Sequence, residues 1–159
     1  MKITHTFEPV YDSRSRVLIL GTFPSVKSRE SNFYYGHPQN RFWRVMAAVL
    51  SCAVPVTVSE KKEMLLEHKI ALWDVVQSCE IEGSADASIR GVIPNRLEAV
   101  TAAAPVERIY ANGSMAGKLY AKYCADSLNM DITVLPSTSP ANAAFGLERL
   151  IEAWRAVNS

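Results

Sequence analysis

Residues 16–21 have the sequence RVLILG, a short apolar run that ends in glycine. Its apolar residues follow one another without alternating polar positions, which is typical of a strand that is covered on both faces. The next four residues, TFPS at 22–25, include a proline and a serine, and both favour turns. The stretch therefore predicts a buried strand that ends in a loop.

Three further runs resemble this one: IALWDV at 70–75, RIYA at 108–111 and ITVL at 132–135. Helical patterns lie between and after them, at 38–50, 59–68, 95–103, 113–128 and 143–157. Strands that alternate with helices imply right-handed crossovers and a parallel sheet. The fold class predicted is α/β, as a three-layer α/β/α sandwich with a central four-stranded parallel sheet.

The length and composition fit one globular domain over residues 1–159. Apolar residues make up 48% of the chain and charged residues 21%, which excludes disordered and collagen-like classes. The net charge is +1, so no global field attracts the chain to a polyanion. Residues 11–44 are nevertheless locally basic. Their cations are Arg14, Arg16, Lys27, Arg29, Arg41 and Arg44.

Cysteine and histidine spacing gives no support for a metal site or a disulfide framework. The three cysteines form no CxxC pair and the three histidines form no HExxH pattern. No apolar run approaches the roughly 20 residues that span a bilayer, and the amino terminus lacks an apolar signal region. We expect a soluble cytoplasmic protein without metal, in a reducing compartment.

Cofactor and nucleophile motifs are missing from the sequence. It contains no GxxxxGK[ST] phosphate loop, no GxGxxG dinucleotide motif and no GxSxG nucleophile elbow. Nucleoside triphosphate, dinucleotide and serine hydrolase chemistry are therefore not expected, and neither is a cofactor.

A ligand site is predicted at one edge of the sheet, because open parallel sheets bind ligands outside the carboxyl ends of their strands. Turn-forming polar residues stand at all four of these ends. They are 21–25 (GTFPS), 74–75 (DV), 112–113 (NG) and 136–142 (PSTSPAN).

Three of the motifs occur together in a recognisable order: LILGTFPS at 18–25, YYGHPQNRFW at 34–43 and STSPAN at 137–142. This combination resembles the uracil-DNA glycosylase superfamily, and is most similar to its hypoxanthine-DNA (deoxyinosine) glycosylases. The HPxNRFW segment is shared with the mismatch-specific and thymine-DNA branches. The resemblance covers most of the chain and implies hydrolysis of the N-glycosidic bond of a deaminated base, leaving an abasic site.

One departure concerns the first motif, where most of the superfamily has an Asn or Asp and this chain has Thr22. Strong uracil excision is therefore not expected. The resemblance implies instead that Asn40 supplies the catalytic amide. Its oxygen can accept a hydrogen bond from water and its NH₂ can donate one, so the amide can orient the attack without ionising. The alternative is that Asn40 is a helix-start residue beside Pro38.

An enzyme that acts on a base in DNA must extrude it and hold it by stacking and edge contacts. We predict that Thr22, Phe23, Tyr35 and Asp74 bind the base, with Phe23 or Tyr35 as the stacking surface. Asp74 can accept the N1–H of hypoxanthine, a donor that adenine lacks. The alternative is that Asp74 is an ordinary turn carboxylate with no role in binding the base. The neighbouring Phe42 and Trp43 are predicted to lie in the core.

DNA contacts are predicted in the loop at 137–142 and in the basic stretch at 11–44. The loop at 137–142 can bind phosphates through hydroxyls and backbone amides, and it lacks the bulky wedge of related enzymes. Asn142 is alternatively the N-cap of the last helix. The residues assigned to DNA are Ser25, Lys27, Arg41, Ser137, Ser139, Pro140, Ala141 and Asn142.

The resulting prediction is a monomeric, monofunctional glycosylase acting on DNA that contains a deaminated base. No lysine lies within these motifs to act as a Schiff-base nucleophile, so no lyase step is expected. Two alternatives remain open at this point. One is a damaged or abasic DNA binder with little catalysis, and the other is a hydrolase or transferase acting on free nucleosides.

Overall fold

A computed structural model describes residues 2–4, 8–23, 28, 33–80 and 90–158. The strands are β1 (Lys2–Thr4), β2 (Val17–Gly21), β3 (Ile70–Asp74), β4 (Val76–Glu80), β5 (Arg90–Pro94), β6 (Arg108–Asn112) and β7 (Thr133–Leu135). The helices are α1 (Phe42–Leu50), α2 (Val58–Glu67), α3 (Glu98–Thr101), α4 (Ser114–Tyr123), α5 (Ala125–Leu128) and α6 (Leu147–Trp154), followed by a 3₁₀ turn (Arg155–Asn158).

The central sheet has the order β3-β2-β6-β7, and all its strands are parallel. This confirms the predicted four-stranded sheet. The register pairs Gly21 with Asp74 and Leu20 with Ala111, so the carboxyl ends of β2, β3 and β6 lie at one edge. That edge is where a ligand site is expected in such a sheet.

Both faces of the central sheet are covered. Every residue of β2 and β3 is buried, as their continuous apolar sequences predicted. The chain runs from β2 to β3 toward one edge of the sheet, and from β6 to β7 toward the opposite edge. Right-handed crossovers then place α1 and α2 on one face and α4 on the opposite face. Helix α1 packs against α6.

A second, antiparallel sheet was not predicted from the sequence. It has the order β1-β4-β5 and begins directly after β3, where Val75 separates Asp74 from β4. The sequence IALWDVVQSCE looks like one strand and a polar tail, but the chain turns at Val75. Backbone hydrogen bonds from Val75 to Gly21 and from Val76 to Thr22 hold this turn against the first motif.

Most of the helices are shorter than the sequence patterns predicted, whereas α2 (Val58–Glu67) keeps the length of its pattern at 59–68. Helix α1 begins at Phe42, not at residue 38, because a turn closed by the Asn40 N–H and the His37 carbonyl precedes it. The pattern at 113–128 is divided at Cys124, and the last helix begins at Leu147 rather than at residue 143. None of the helices in the described ranges is long and apolar enough to cross a bilayer.

Candidate active site

The centre of the site is the contact between the ends of β2 and β3. A Cβ atom added at Gly21 would lie 2.4 Å from Asp74 Oδ1 and 2.8 Å from the Tyr35 hydroxyl oxygen. Any side chain at this position would displace one or both groups. Glycine at the end of β2 therefore allows the carboxylate and the phenol to approach the backbone at the edge of the sheet.

Tyr35 is held in an unusual backbone conformation. Its φ is 55°, in the left-handed region that a bulky residue rarely adopts. Its ring stacks on Phe42 with the centroids 4.2 Å apart, so one face of the ring is already covered. A base predicted to stack on Tyr35 would therefore have to lie on the opposite face of the ring.

The hydroxyl of Tyr35 is buried and has no hydrogen-bond partner among the described residues. Burial, followed by the nearby Asp74 carboxylate, raises the pKa of this phenol well above its usual range, while the adjacent Asn112 side chain acts in the opposite direction. No hydrogen bond of ordinary geometry joins the hydroxyl to Asn112. Leaving such a buried group unpaired costs about 1–3 kcal/mol, so the arrangement calls for a functional explanation.

Asp74 is itself 4% exposed and is fixed by a buried neighbour. The Asn95 side chain donates to the Asp74 carbonyl at 2.9 Å and to the Val76 carbonyl at 3.3 Å. Its backbone N–H donates to the carbonyl of Val75 at 2.7 Å. Asn95 thus holds the turn that ends β3 and starts β4, a role that was not predicted from the sequence.

Asn40 has its acceptor oxygen engaged by two donors. Oδ1 accepts from the backbone N–H of Phe42 and from the hydroxyl of Thr138, both at 2.9 Å. A backbone N–H can only donate, which fixes the amide with its oxygen toward the start of α1. The Nδ2 group makes no hydrogen bond with the described part of the chain. Asn40 therefore has a helix-start contact and also presents an uncommitted donor.

Thr138 connects Asn40 to the end of β6. Its side chain is fully buried, and its hydroxyl accepts from Asn112 Nδ2 at 3.0 Å while it donates to Asn40. Asn112 Oδ1 in turn accepts from the Thr138 backbone N–H at 3.0 Å. This chain of contacts joins the second motif, the third motif and the edge of the sheet.

Arg41 fastens the loop at 137–142 to the start of α1. Its guanidinium donates to the carbonyls of Thr138 (3.4 Å), Ser139 (2.9 Å), Asn142 (3.1 Å) and Phe145. Four of the five N–H donors of an arginine are thereby engaged with backbone oxygens. These contacts indicate that Arg41 organises the loop, whereas its predicted contact with a phosphate stays a prediction.

The loop itself is stabilised by local hydrogen bonds. Ser137 Oγ accepts from the backbone of Ser139, Ser139 Oγ accepts from Ala141, and Asn142 Nδ2 donates to the Ser137 carbonyl at 3.0 Å. Asn142 is not the N-cap of the last helix, because Gly146 occupies that position. Pro140 and Ala141 are exposed at the tip. A cleft of about 640 Å³ runs beside the loop and is lined by Ser114, Pro136, Ser137, Ser139 and Asn142, among others.

The other predicted base-binding residues are placed less centrally. Thr22 is partly exposed and its carbonyl accepts from Val76. Phe23 is partly buried against Val76 and Cys79 of the second sheet. Phe42 and Trp43 are core residues, as predicted. The predicted DNA contacts Ser25 and Lys27 lie outside the described residues.

The supporting roles of Asn112, Thr138 and Asn95 were not predicted from the sequence. A signal existed for the first two, since both stand in strand-end segments where a ligand site was expected. Asn95 follows a strand of the second sheet, which was not predicted, so nothing in the pattern pointed to it. Among the described residues, no group of three or more His, Cys, Asp or Glu side chains is arranged to hold a metal.

Comparison with known proteins places this architecture in a family. The model of the uracil DNA glycosylase superfamily matches residues 8–158. The chain belongs to that superfamily. Its predicted membership is thereby confirmed, and the converging motifs are those on which the resemblance was based.

Individual relatives agree with this assignment. A hypoxanthine DNA glycosylase of Methanosarcina acetivorans is 34% identical over 157 residues, covering 98% of each chain. One of Methanosarcina barkeri is 30% identical over 138 residues, covering 86% of each. A solution NMR structure from M. acetivorans, provisionally described as a uracil DNA glycosylase, superposes with a TM-score of 0.82 at 29% identity and covers all of both chains.

Proposed function

We propose that this protein is a monofunctional DNA glycosylase that removes hypoxanthine from deaminated adenine sites. The observation that carries the proposal is that Asp74 and Tyr35 lie together at one edge of the sheet, and that Thr138 and Asn112 join Asn40 to the same edge. The M. acetivorans and M. barkeri relatives bear the corresponding name over nearly the whole chain. Two other branches of the same superfamily share the HPxNRFW segment, so the substrate itself needs direct measurement.

The reaction replaces the bond between C1′ and the base nitrogen with a bond from C1′ to a water oxygen. The electron pair of the broken bond leaves with the base, and the water releases a proton to solvent. Because the sugar develops cationic character, a strong base is not needed, but the water must be held in position. The uncommitted Nδ2 of Asn40 supports this role: it can donate to the water oxygen and leave a lone pair for attack.

Thr138 is then a positioning residue for Asn40. Thr138→Val removes the hydroxyl that bridges Asn112 and Asn40 but keeps the shape of the side chain. We expect single-turnover base release to fall by about 10-fold and stability by about 1–2 kcal/mol, because two buried hydrogen bonds are lost. Single-turnover kinetics and thermal unfolding on the same preparation measure both quantities. An unchanged rate in a destabilised protein would limit Thr138 to a structural role.

We propose that DNA lies across the loop at 137–142 and the cleft beside it. Ser137 and Ser139 are available as phosphate contacts, and exposed Pro140 and Ala141, next to Asn142, are suited to the minor groove where the base leaves the stack. Ser25 and Lys27 remain proposed phosphate contacts from the sequence. The protein is proposed to act inside the cell as a monomer of one domain.

A panel of labelled duplexes tests the function. Each duplex contains hypoxanthine, uracil, xanthine or an intact base, and products are scored as alkali-labile sites. We expect cleavage at hypoxanthine well above the other bases. Binding to damaged DNA without any alkali-labile site would favour a damage-binding protein. Equal release from free deoxyinosine and from DNA would favour a nucleoside hydrolase.

A further inference from the structure

The Tyr35 hydroxyl is a buried polar group that the proposed catalytic role of Asn40 does not use. It has no hydrogen-bond partner in the described part of the chain, although it lies at the edge of the sheet where the base is expected. The residue also keeps a left-handed backbone at φ 55°. Strained backbone and unpaired buried donors persist mainly where function requires them.

A complementary acceptor lies beside this hydroxyl. The Tyr35 oxygen and Asp74 Oδ1 both approach the same point, the Cβ position of Gly21, at 2.8 and 2.4 Å, so they are at most about 5 Å apart. Asp74 has contacts of its own, but the two oxygens of a carboxylate offer about four acceptor positions. A hydroxyl donor and a carboxylate acceptor therefore lie next to each other at this edge of the sheet.

The Tyr35 ring is held in place, and its hydroxyl stays protonated. The ring is stacked on Phe42, so the hydroxyl cannot swing away without breaking that contact. Burial and the Asp74 carboxylate raise the pKa of the phenol, while the neighbouring Asn112 side chain acts to lower it. The phenol stays protonated in neutral solution, and its proton remains available to a ligand.

We propose that Tyr35 and Asp74 together recognise the lactam edge of the extruded base, in which a ring N–H stands beside a carbonyl. The Tyr35 hydroxyl donates to the carbonyl oxygen and Asp74 accepts from the N–H. Adenine has the opposite order, an unprotonated ring nitrogen beside an amino group, so the same pair disfavours the normal base. This inference rests on the proposed function and identifies what distinguishes hypoxanthine from the adenine it derives from.

Tyr35→Phe tests the proposal because it removes the hydroxyl and keeps the ring on Phe42. The substrates are duplexes with hypoxanthine and with unsubstituted purine, which lacks both the carbonyl and the N–H. We expect single-turnover release of hypoxanthine to fall by about 10–100-fold, the range for losing one buried polar partner of a substrate. Purine release should stay within about twofold of the wild-type rate. If purine release is too slow to measure, competition by the purine duplex against labelled hypoxanthine DNA gives the same comparison.

Tyr34→Phe is the matched control. The Tyr34 hydroxyl is satisfied by the Glu8 carbonyl at 2.9 Å, so its loss is expected to lower the melting temperature without changing the ratio of the two rates. An equal fall on both substrates with Tyr35→Phe, or no fall on either, overturns the proposal. Failure of the wild-type protein to release hypoxanthine at all rejects the proposed function instead, and the two failures are thereby distinguished.

Discussion

Replacing Asn40 with alanine is expected to lower single-turnover base release by about 10²–10⁴-fold, the range for losing one positioned catalytic group. Stability should fall as well, by about 1–2 kcal/mol, because the Phe42 N–H and the Thr138 hydroxyl both lose their acceptor. The rate is therefore measured per folded molecule, with thermal unfolding on the same sample. Binding to hypoxanthine DNA should remain close to that of the wild-type protein.

Asn40→Asp separates the two functions of the amide. A carboxylate keeps an acceptor for Phe42 and Thr138 but has no N–H donor, so this variant should be nearly as stable as the wild-type protein. If Nδ2 positions the water, its rate should fall about as far as that of Asn40→Ala. A rate at or above the wild-type level in Asn40→Asp would contradict the donor role and assign catalysis to the oxygen.

Replacing Arg41 is expected to have the largest effect on stability. Arg41→Met retains much of the aliphatic stem but leaves the carbonyls of Thr138, Ser139, Asn142 and Phe145 without the guanidinium. We expect a loss of about 2–4 kcal/mol in the free energy of unfolding, because several charge-assisted hydrogen bonds disappear together. Denaturant unfolding measures this loss. Base release should also fall, since the loop at 137–142 would no longer be held beside Asn40.

The salt dependence of DNA binding distinguishes a loop-organising arginine from a phosphate contact. Each phosphate contact contributes about 0.9 to the slope of log K against log salt concentration. If Arg41 only organises the loop, Arg41→Met should weaken binding without changing this slope. Arg44 is exposed in the first turn of α1, and Arg44→Met provides a comparison for the loss of one surface charge. A slope reduced by about 0.9 in Arg41→Met alone would restore the predicted phosphate contact.

The central sheet was predictable because its strands are marked by continuous apolar runs. Coverage on both faces requires such runs, and β2 and β3 are buried along their whole length. The second sheet gave no comparable signal. β4 mixes buried and exposed residues without a regular period and follows β3 after a single residue, so pattern alone could not separate the two strands. Helix starts were placed too early because turns at His37–Asn40 and before Leu147 precede them.

The position of the site could be predicted from the order of the segments along the chain. The hydrogen bonds of its side chains could not. The order of the motifs along the chain located Asn40, Tyr35 and Asp74 near one edge of the sheet. It could not reveal that Asn40 Oδ1 is already engaged, or that Arg41 is turned toward four backbone carbonyls. Apart from the local contact with Phe42, those facts depend on contacts between residues about 100 positions apart. Local patterns contain no information on such pairs.

Identification of the products formed from hypoxanthine DNA tests the central claim most directly. Wild-type protein in excess is incubated with a duplex that carries one hypoxanthine, and the free bases and the DNA strands are analysed separately. We predict one equivalent of free hypoxanthine for each abasic site, with the strand intact until alkali is added. Tight binding of this duplex with no free hypoxanthine released would contradict the account.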